Sequence, residues 1–189
     1  MSLELFVYPV GHHAVGKTEV CDYLADRYDF DVIETGAMVR GLYAERPEEM
    51  ADFSIGNFVR HTEATHPGFF DEKLSEKLET VEKPNVLVNG MRSITSIEAL
   101  KNRFASSIHA TLWIDAAFEL LHDRYNRREG LSLTAAQFHD LLDKDRELGL
   151  EAIRDSADFV ITNDSNAEAL KTKTDLIMVK LGRVVLNDY

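Results

Sequence analysis

The chain has 189 residues, 44% of them hydrophobic, with 21 Lys and Arg against 33 Asp and Glu and a net charge of −12. That length buries one substantial core in a single domain over 1–189, the composition excludes collagen, disorder and a disulfide scaffold, and the acidic balance excludes a general nucleic-acid binder, which needs a broad basic surface. One cysteine, Cys21, leaves no internal disulfide or multi-cysteine metal site, and with no apolar run near the roughly 18 residues of a membrane span and no basic-then-apolar leader, the expectation is a cytoplasmic protein without a membrane or nucleic-acid partner.

The first strand is expected over Leu3–Val10 and runs into the stretch GHHAVGKT, Gly11 to Thr18, which spells glycine, four residues, then Gly-Lys-Thr. An amphipathic helix follows, with Val20, Cys21, Leu24 and Tyr28 at helical spacing. This strand, loop and helix context identifies a nucleotide-binding P-loop. Gly11, His12, His13, Ala14, Val15 and Gly16 supply a tight loop whose N–H groups point at phosphate oxygens, Lys17 reaches the β/γ-phosphates, and Thr18 offers a hydroxyl to Mg²⁺. Adjacent histidines point in different directions and no third ligand is evident, so His12 and His13 shape the loop and bind no metal of their own. Cys21, on the apolar side of the helix, reads as a small core residue.

A second strand is expected over Phe30–Glu34 and a third over Asn85–Asn89. The intervening region 35–83 is too long for a simple crossover; it reads as several helices, one carrying Phe70, Leu74, Leu78 and Val81, and as an acceptor-binding insertion. The fourth strand is expected over Ile108–Ile114. Arg124, Arg127 and Arg128 then fall within five positions, and Arg124 to Leu133, with charges, Gly130 and no long apolar run, reads as a mobile connection without apolar anchors. Capping-box spacing occurs at Thr134 with Gln137 and at Ser165 with Glu168. The first opens a helix bearing Phe138, Leu141, Leu142 and Leu148; between the two boxes lies the fifth strand, Asp158–Thr162. Strands alternating with helical segments predict a parallel α/β sheet. The apolar end, MVKLGRVVLNDY, is compatible with a last helix and then a strand or an interface segment, and oligomeric state is not legible.

The motifs IETGAMVRG (Ile33 to Gly41), VLVNGMRS (Val86 to Ser93), RYNRR (Arg124 to Arg128) and DKDRELGLEAIRDSADFVITND (Asp143 to Asp164) occur in the order of the nucleoside monophosphate kinase group. Over most of the chain the sequence resembles that group's small kinases related to adenylate kinase and dephospho-CoA kinase. The resemblance implies a three-layer P-loop kinase fold with a five-stranded parallel sheet in the order 2-3-1-4-5 and a small helical lid over about 125–146. It implies ATP and Mg²⁺ as cofactors and small nucleotides as substrates. By the same resemblance, Lys17, Arg128 and Arg146 serve phosphoryl transfer, Arg124 and Arg128, or Arg127 in place of one of them, border the lid with Arg124 on the ATP side, and Gly36, Arg40, Gly90 and Arg92 receive the acceptor phosphate. Two positions depart from the pattern. Ala37 stands where Gly-Asp-x-x-Arg has its aspartate, and Asn89 stands where the third strand presents Asp, leaving an uncharged amide that can still accept a hydrogen bond from a metal-bound water in the second shell. Asp115 matches no metal-binding position.

The expected activity is therefore ATP-dependent phosphorylation of a small monophosphate acceptor such as a nucleoside monophosphate. Two alternatives stand beside it: phosphorylation of a hydroxyl, as in dephospho-CoA kinase, and a nucleotide-binding regulatory protein in which Ala37 and Asn89 mark weakened catalysis. No Asn-Lys-x-Asp segment supports a GTPase.

Overall fold

Both faces of the first strand are apolar, and this decides the architecture. In the computed structural model, which describes residues 3–147 and 149–183, β1 (Leu5–Val10) is buried along its whole length. Its side chains alternate between two cores. Leu5 and Val7 pack with Val20, Cys21 and Leu24 of α1 (Lys17–Tyr28), Leu121 of α6 (Phe118–Glu129), Phe138 of α7 (Ala135–Glu147) and Leu170 of α9 (Ala167–Lys180). Phe6, Tyr8 and Val10 pack with Met38 of α2 (Thr35–Ala44), Leu74 of α4 (Phe69–Leu78), Ile97 of α5 (Ile94–Arg103) and Ile153 of α8 (Leu150–Asp155). A strand buried on both faces belongs in the middle of a parallel sheet. The remaining strands are β2 (Phe30–Glu34), β3 (Asn85–Asn89), β4 (Ile108–Asp115) and β5 (Phe159–Thr162), and the five form one parallel sheet in the order β2-β3-β1-β4-β5. This is the P-loop kinase fold, with β1 central and helices on both faces.

Several expectations are refined. β1 starts two residues later than the apolar run, with Glu4 before it bonded through its N–H to the Pro84 carbonyl and through its carbonyl to the Ile108 N–H. The insertion after β2 is helical as expected, comprising α2, a 3₁₀ turn at Glu48–Met50, α3 (Ile55–Thr65) and α4. The Thr134 box forms, with the Thr134 N–H donating to Gln137 and the Gln137 N–H donating to Thr134 Oγ1. The Ser165 box does not: α9 is capped one residue later by Asn166, whose side chain accepts from the Ala169 N–H. An asparagine in extended backbone fills this role as well as serine. Leu148 and the last six residues, 184–189, lie outside the described residues. Among the described residues no helix is long and apolar enough to cross a membrane.

Cys21 is buried, and burial, reinforced by nearby Glu34 and Asp22 against Lys17, pushes its thiol up to about 12. It is a core residue. His109 on β4 is held neutral: the Phe104 carbonyl accepts from Nε2 (3.0 Å), so Nδ1 accepts from the Tyr8 hydroxyl (2.8 Å), and burial lowers the imidazole pKa. A lowered folded pKa means the unfolded chain binds more protons. The stability from this histidine is therefore complete above the unfolded value of about 6.5 and is lost as pH falls through the folded one. Urea midpoints should drop between about pH 7 and pH 5, with a shallower drop in His109→Gln; equal slopes would contradict this assignment.

Candidate functional site: the P-loop and the strand ends beside it

Gly11 leaves β1 at φ 155°, Ala14 adopts φ 59° and Gly16 adopts φ 100°, so the backbone doubles back before α1 begins at Lys17. The sharpness of this turn needs small residues at two contacts. A Cβ on Gly11 would lie 2.4 Å from the Ile114 carbonyl oxygen of β4, and one on Gly16 would lie 2.5 Å from Asn163 Nδ2. Lys17 folds back over the loop, its ammonium donating to the carbonyls of Gly11 (2.9 Å) and His12 (2.8 Å). No side chain caps α1, so the first-turn amides and the positive end of the helix face the loop, and Thr18 is exposed beside them. This arrangement fits a polyphosphate: amides and an ammonium on one side, a hydroxyl for its metal at the helix start.

The loop is braced from both flanks. Asn163, just past β5, donates from Nδ2 to the Val15 carbonyl (2.9 Å) and from its backbone N–H to the Asp115 carbonyl (2.7 Å), while Arg124 on α6 donates to the Asn163 carbonyl (2.9 Å). His12 meets Trp113 edge-on at 5.6 Å and His13 meets Tyr125 at 5.8 Å. These ring contacts tie the loop to β4 and α6, and no cluster of three His, Cys, Asp or Glu suited to a metal exists among the described residues. His13 Nε2 also lies 3.4 Å from Arg92 Nη2, so the loop touches a residue just beyond β3.

On that side the ends of β2 and β3 are locked together. The Thr35 hydroxyl donates to the Asn89 carbonyl (2.9 Å), and Gly90, at φ 90°, lies so close that a Cβ would stand 2.8 Å from Thr35 Oγ1. Arg40 folds back over Gly36, where a Cβ would be 3.2 Å from its Nη1. Ala37 is exposed. Asn89 is buried, and its Nδ2 donates to Glu34 Oε1 at 2.6 Å.

A UPF0200 protein of Saccharolobus islandicus is 30% identical to this chain over 168 residues, covering 85% of each sequence. The chain belongs to the UPF0200 family. A cytidylate kinase of Pyrococcus furiosus is 25% identical over 121 residues, 64% of this chain and 56% of that protein. Among solved structures, a shikimate kinase from Bacteroides thetaiotaomicron superposes with a TM-score of 0.66 at 14% identity, over 94% of this chain and 98% of that one, which shows the shared fold. No family model matches the chain.

Within this UPF0200 chain, the structure brings Gly11 to Thr18, Arg124 and Arg92 into one linked set, with Gly36, Arg40 and Gly90 at the neighbouring strand ends. Arg128 and Arg146 are engaged elsewhere. Arg128 pairs with Glu129 at 2.8 Å and lies over the Tyr125 ring, and Arg146 is held by Asp143 (2.6 Å) and Glu151 (3.0 Å). The expected mobile connection is also corrected. Arg124 to Glu129 belong to α6, which ends at Gly130 in a left-handed turn, and Tyr125 and Leu133 pack against the core, so the segment does have apolar anchors. The tyrosine among four charged or polar neighbours hides this helix from a reading that looks for apolar runs.

Sequence reasoning did not assign Glu34 or Asn163. Both stand at strand ends, where a parallel sheet places its functional groups, and that position is the signal that finds them. Beside Glu34, a cavity of about 940 Å³ opens between the β2 edge, α2 and α4, lined by Val32, Glu34, Ala37, Leu42 and Lys77 among others. No P-loop residue lines it.

Proposed function

We propose that this chain is an ATP-dependent phosphotransferase whose acceptor is a small monophosphate, a nucleoside monophosphate in the first instance. The observation that carries this reading is the contact between His13 of the P-loop and Arg92 beyond β3, which joins a polyphosphate cradle to a guanidinium suited to a second phosphate. Phosphoryl transfer needs positioning and charge neutralisation, with no protein nucleophile. ATP and Mg²⁺ are the cofactors this cradle fits: Lys17, the loop amides and Arg124 take the nucleotide, Thr18 the metal, and Arg40, Arg92, Gly36 and Gly90 the acceptor. The 25% identity to an archaeal cytidylate kinase supports a nucleotide acceptor. ADP formation measured against a panel of nucleoside monophosphates and dephospho-CoA tests it. Turnover with a monophosphate is expected; turnover with dephospho-CoA alone would reassign the acceptor to a hydroxyl, and nucleotide binding without turnover would make the chain a regulatory protein.

Arg40→Ala should raise the acceptor KM by about 10- to 100-fold, the worth of one charge-assisted hydrogen bond pair, with ATP affinity unchanged. Arg92→Ala should do the same and also disturb ATP affinity, because Arg92 touches His13. A loss confined to ATP affinity in the Arg40 variant would place that residue on the donor side.

Residues 125–146 are proposed as the lid. To reach a phosphate, Arg128 and Arg146 must leave Glu129, Asp143 and Glu151, and exposed ion pairs of this kind exchange partners at little cost. Hydrogen exchange over this stretch should slow when an ATP analogue and acceptor are both bound; equal protection with and without ligands would remove the lid.

A further inference from the structure

We propose that Glu34 acts through Asn89 to hold the hydration shell of the nucleotide-bound divalent cation, so that the carboxylate absent from residue 89 is supplied by the neighbouring strand. This rests on the phosphotransferase reading and extends it to a positioning residue that the family pattern does not contain.

The orientation of the Asn89 amide follows from chemistry. An ionised carboxylate only accepts hydrogen bonds, so the amide must turn its NH₂ toward Glu34, 2.6 Å away. The two residues are direct cross-strand partners in the β2–β3 register, and the Thr35 to Asn89 bond with the tight Gly90 contact keeps the strand ends from sliding. Asn89 Oδ1, on the other arm of the amide, is then left buried with no hydrogen-bond partner, on a residue only 4% exposed. A buried acceptor of this kind calls for a donor.

Three observations specify the donor. First, Asn89 lies next to the P-loop strand: β3 pairs with β1 through Val7 and Leu87, and continuing that register sets Asn89 level with Pro9, just before the loop opens. Second, the Glu34 charge reaches Cys21, which stands on α1 three residues after Thr18. Third, Glu34 makes no ion pair with a described residue, so none of these neutralises its charge. Water bound to a divalent cation is a strong donor with no use for a protein N–H. A carboxylate behind the amide polarises it and makes Oδ1 a better acceptor, as carboxylates behind ligating histidines do in metal sites. The unit Glu34–Asn89 thus offers a relayed negative charge where an aspartate would offer a direct one.

This changes what a simple repair would do. Asn89→Asp places two carboxylates at hydrogen-bond distance, and such a pair retains a proton, so the single variant should not tighten metal binding. Glu34→Gln/Asn89→Asp moves the charge to residue 89 and leaves at position 34 an amide whose NH₂ can donate to it.

The experiment is a Mn²⁺ titration followed by electron paramagnetic resonance on the full chain with a non-hydrolysable ATP analogue, alongside analogue affinity without metal. Analogue affinity in EDTA should agree within about 2-fold across the variants, while Mn²⁺ affinity in the ternary complex should fall roughly 10-fold in Glu34→Gln and return to within about 3-fold of the parent in Glu34→Gln/Asn89→Asp. Unchanged Mn²⁺ affinity in Glu34→Gln overturns the proposal, as does a double variant no better than the single one. If Glu34→Gln instead weakens only the acceptor, the carboxylate serves the substrate and the metal role is wrong. Failure of the parent protein to bind the analogue at all would overturn the phosphotransferase reading itself, a result distinct from analogue binding with metal affinity indifferent to residue 34.

Discussion

Lys17→Ala is expected to lower turnover by about 10³-fold while leaving the protein folded. The first half follows from charge. A preorganised donor aimed at developing negative charge is worth on the order of 10²–10³ in rate even when neutral, and Lys17 carries a full charge on a loop whose other donors are backbone amides. The second half follows from where the lysine sits. It occupies the first position of α1, where a cation opposes the helix dipole at a cost of about 0.3–1 kcal/mol. Its hydrogen bonds to the Gly11 and His12 carbonyls act against that cost, so deleting the side chain removes a gain together with a penalty. Steady-state kinetics and thermal unfolding of the same preparation check both halves together. Unchanged turnover would remove the kinase hypothesis, and a large loss of stability would mean that the lysine is a structural clasp of the loop.

The fold was legible because its two strongest signals are local. Gly11 to Thr18 fixes a strand before it and a helix after it, and β1, β3 and β4 are apolar enough to be recognised as buried strands without any partner. Strand order came from the resemblance, since nothing in a strand's own residues says which neighbour it will choose. The candidate site was legible only where one motif carries it. Gly16 reads as a loop glycine from its spacing, but the reason it must be glycine, the Asn163 amide 2.5 Å from where its Cβ would stand, comes from a residue beyond the fifth strand. Asn89 stood out as a departure from the family pattern, yet its meaning depends on Glu34, which is 55 residues distant in sequence and adjacent in the sheet. The arginines of the proposed lid show the converse. Arg128 and Arg146 carry the right pattern, but carboxylates on the same or the next helix hold them, and ion-pair choice among 33 acidic residues is not readable from spacing.

Gly11→Ala is expected to be the most destabilising single-methyl change in the loop, more so than Gly16→Ala, and the reason is what each methyl meets. At Gly11 the obstacle is the Ile114 carbonyl oxygen, 2.4 Å from the added carbon, with a second contact at Val15 Cγ1, 3.0 Å away. That carbonyl belongs to β4, which is paired to β1 on one side and β5 on the other, so it cannot retreat without opening the ladder. Gly11 also holds φ 155°, where an L-residue is strained by about 1–3 kcal/mol. Overpacking adds a further 1–3 kcal/mol or so, for a total of about 2–6 kcal/mol. At Gly16 the obstacle is a side-chain amide, Asn163 Nδ2, which can rotate away. The change then costs the Asn163 to Val15 bond and the strain of φ 100°, about 2–4 kcal/mol in all. Urea denaturation should therefore rank parent, Gly16→Ala, Gly11→Ala in falling midpoint. Nucleotide affinity should fall in both variants, because each moves amides that must converge on the phosphates. If Gly16→Ala proves the more damaging, the Asn163 brace is stiffer than a rotating amide allows, and it would follow that the Asp115 carbonyl at the end of β4 and Arg124, which grip the Asn163 backbone, set the shape of the loop.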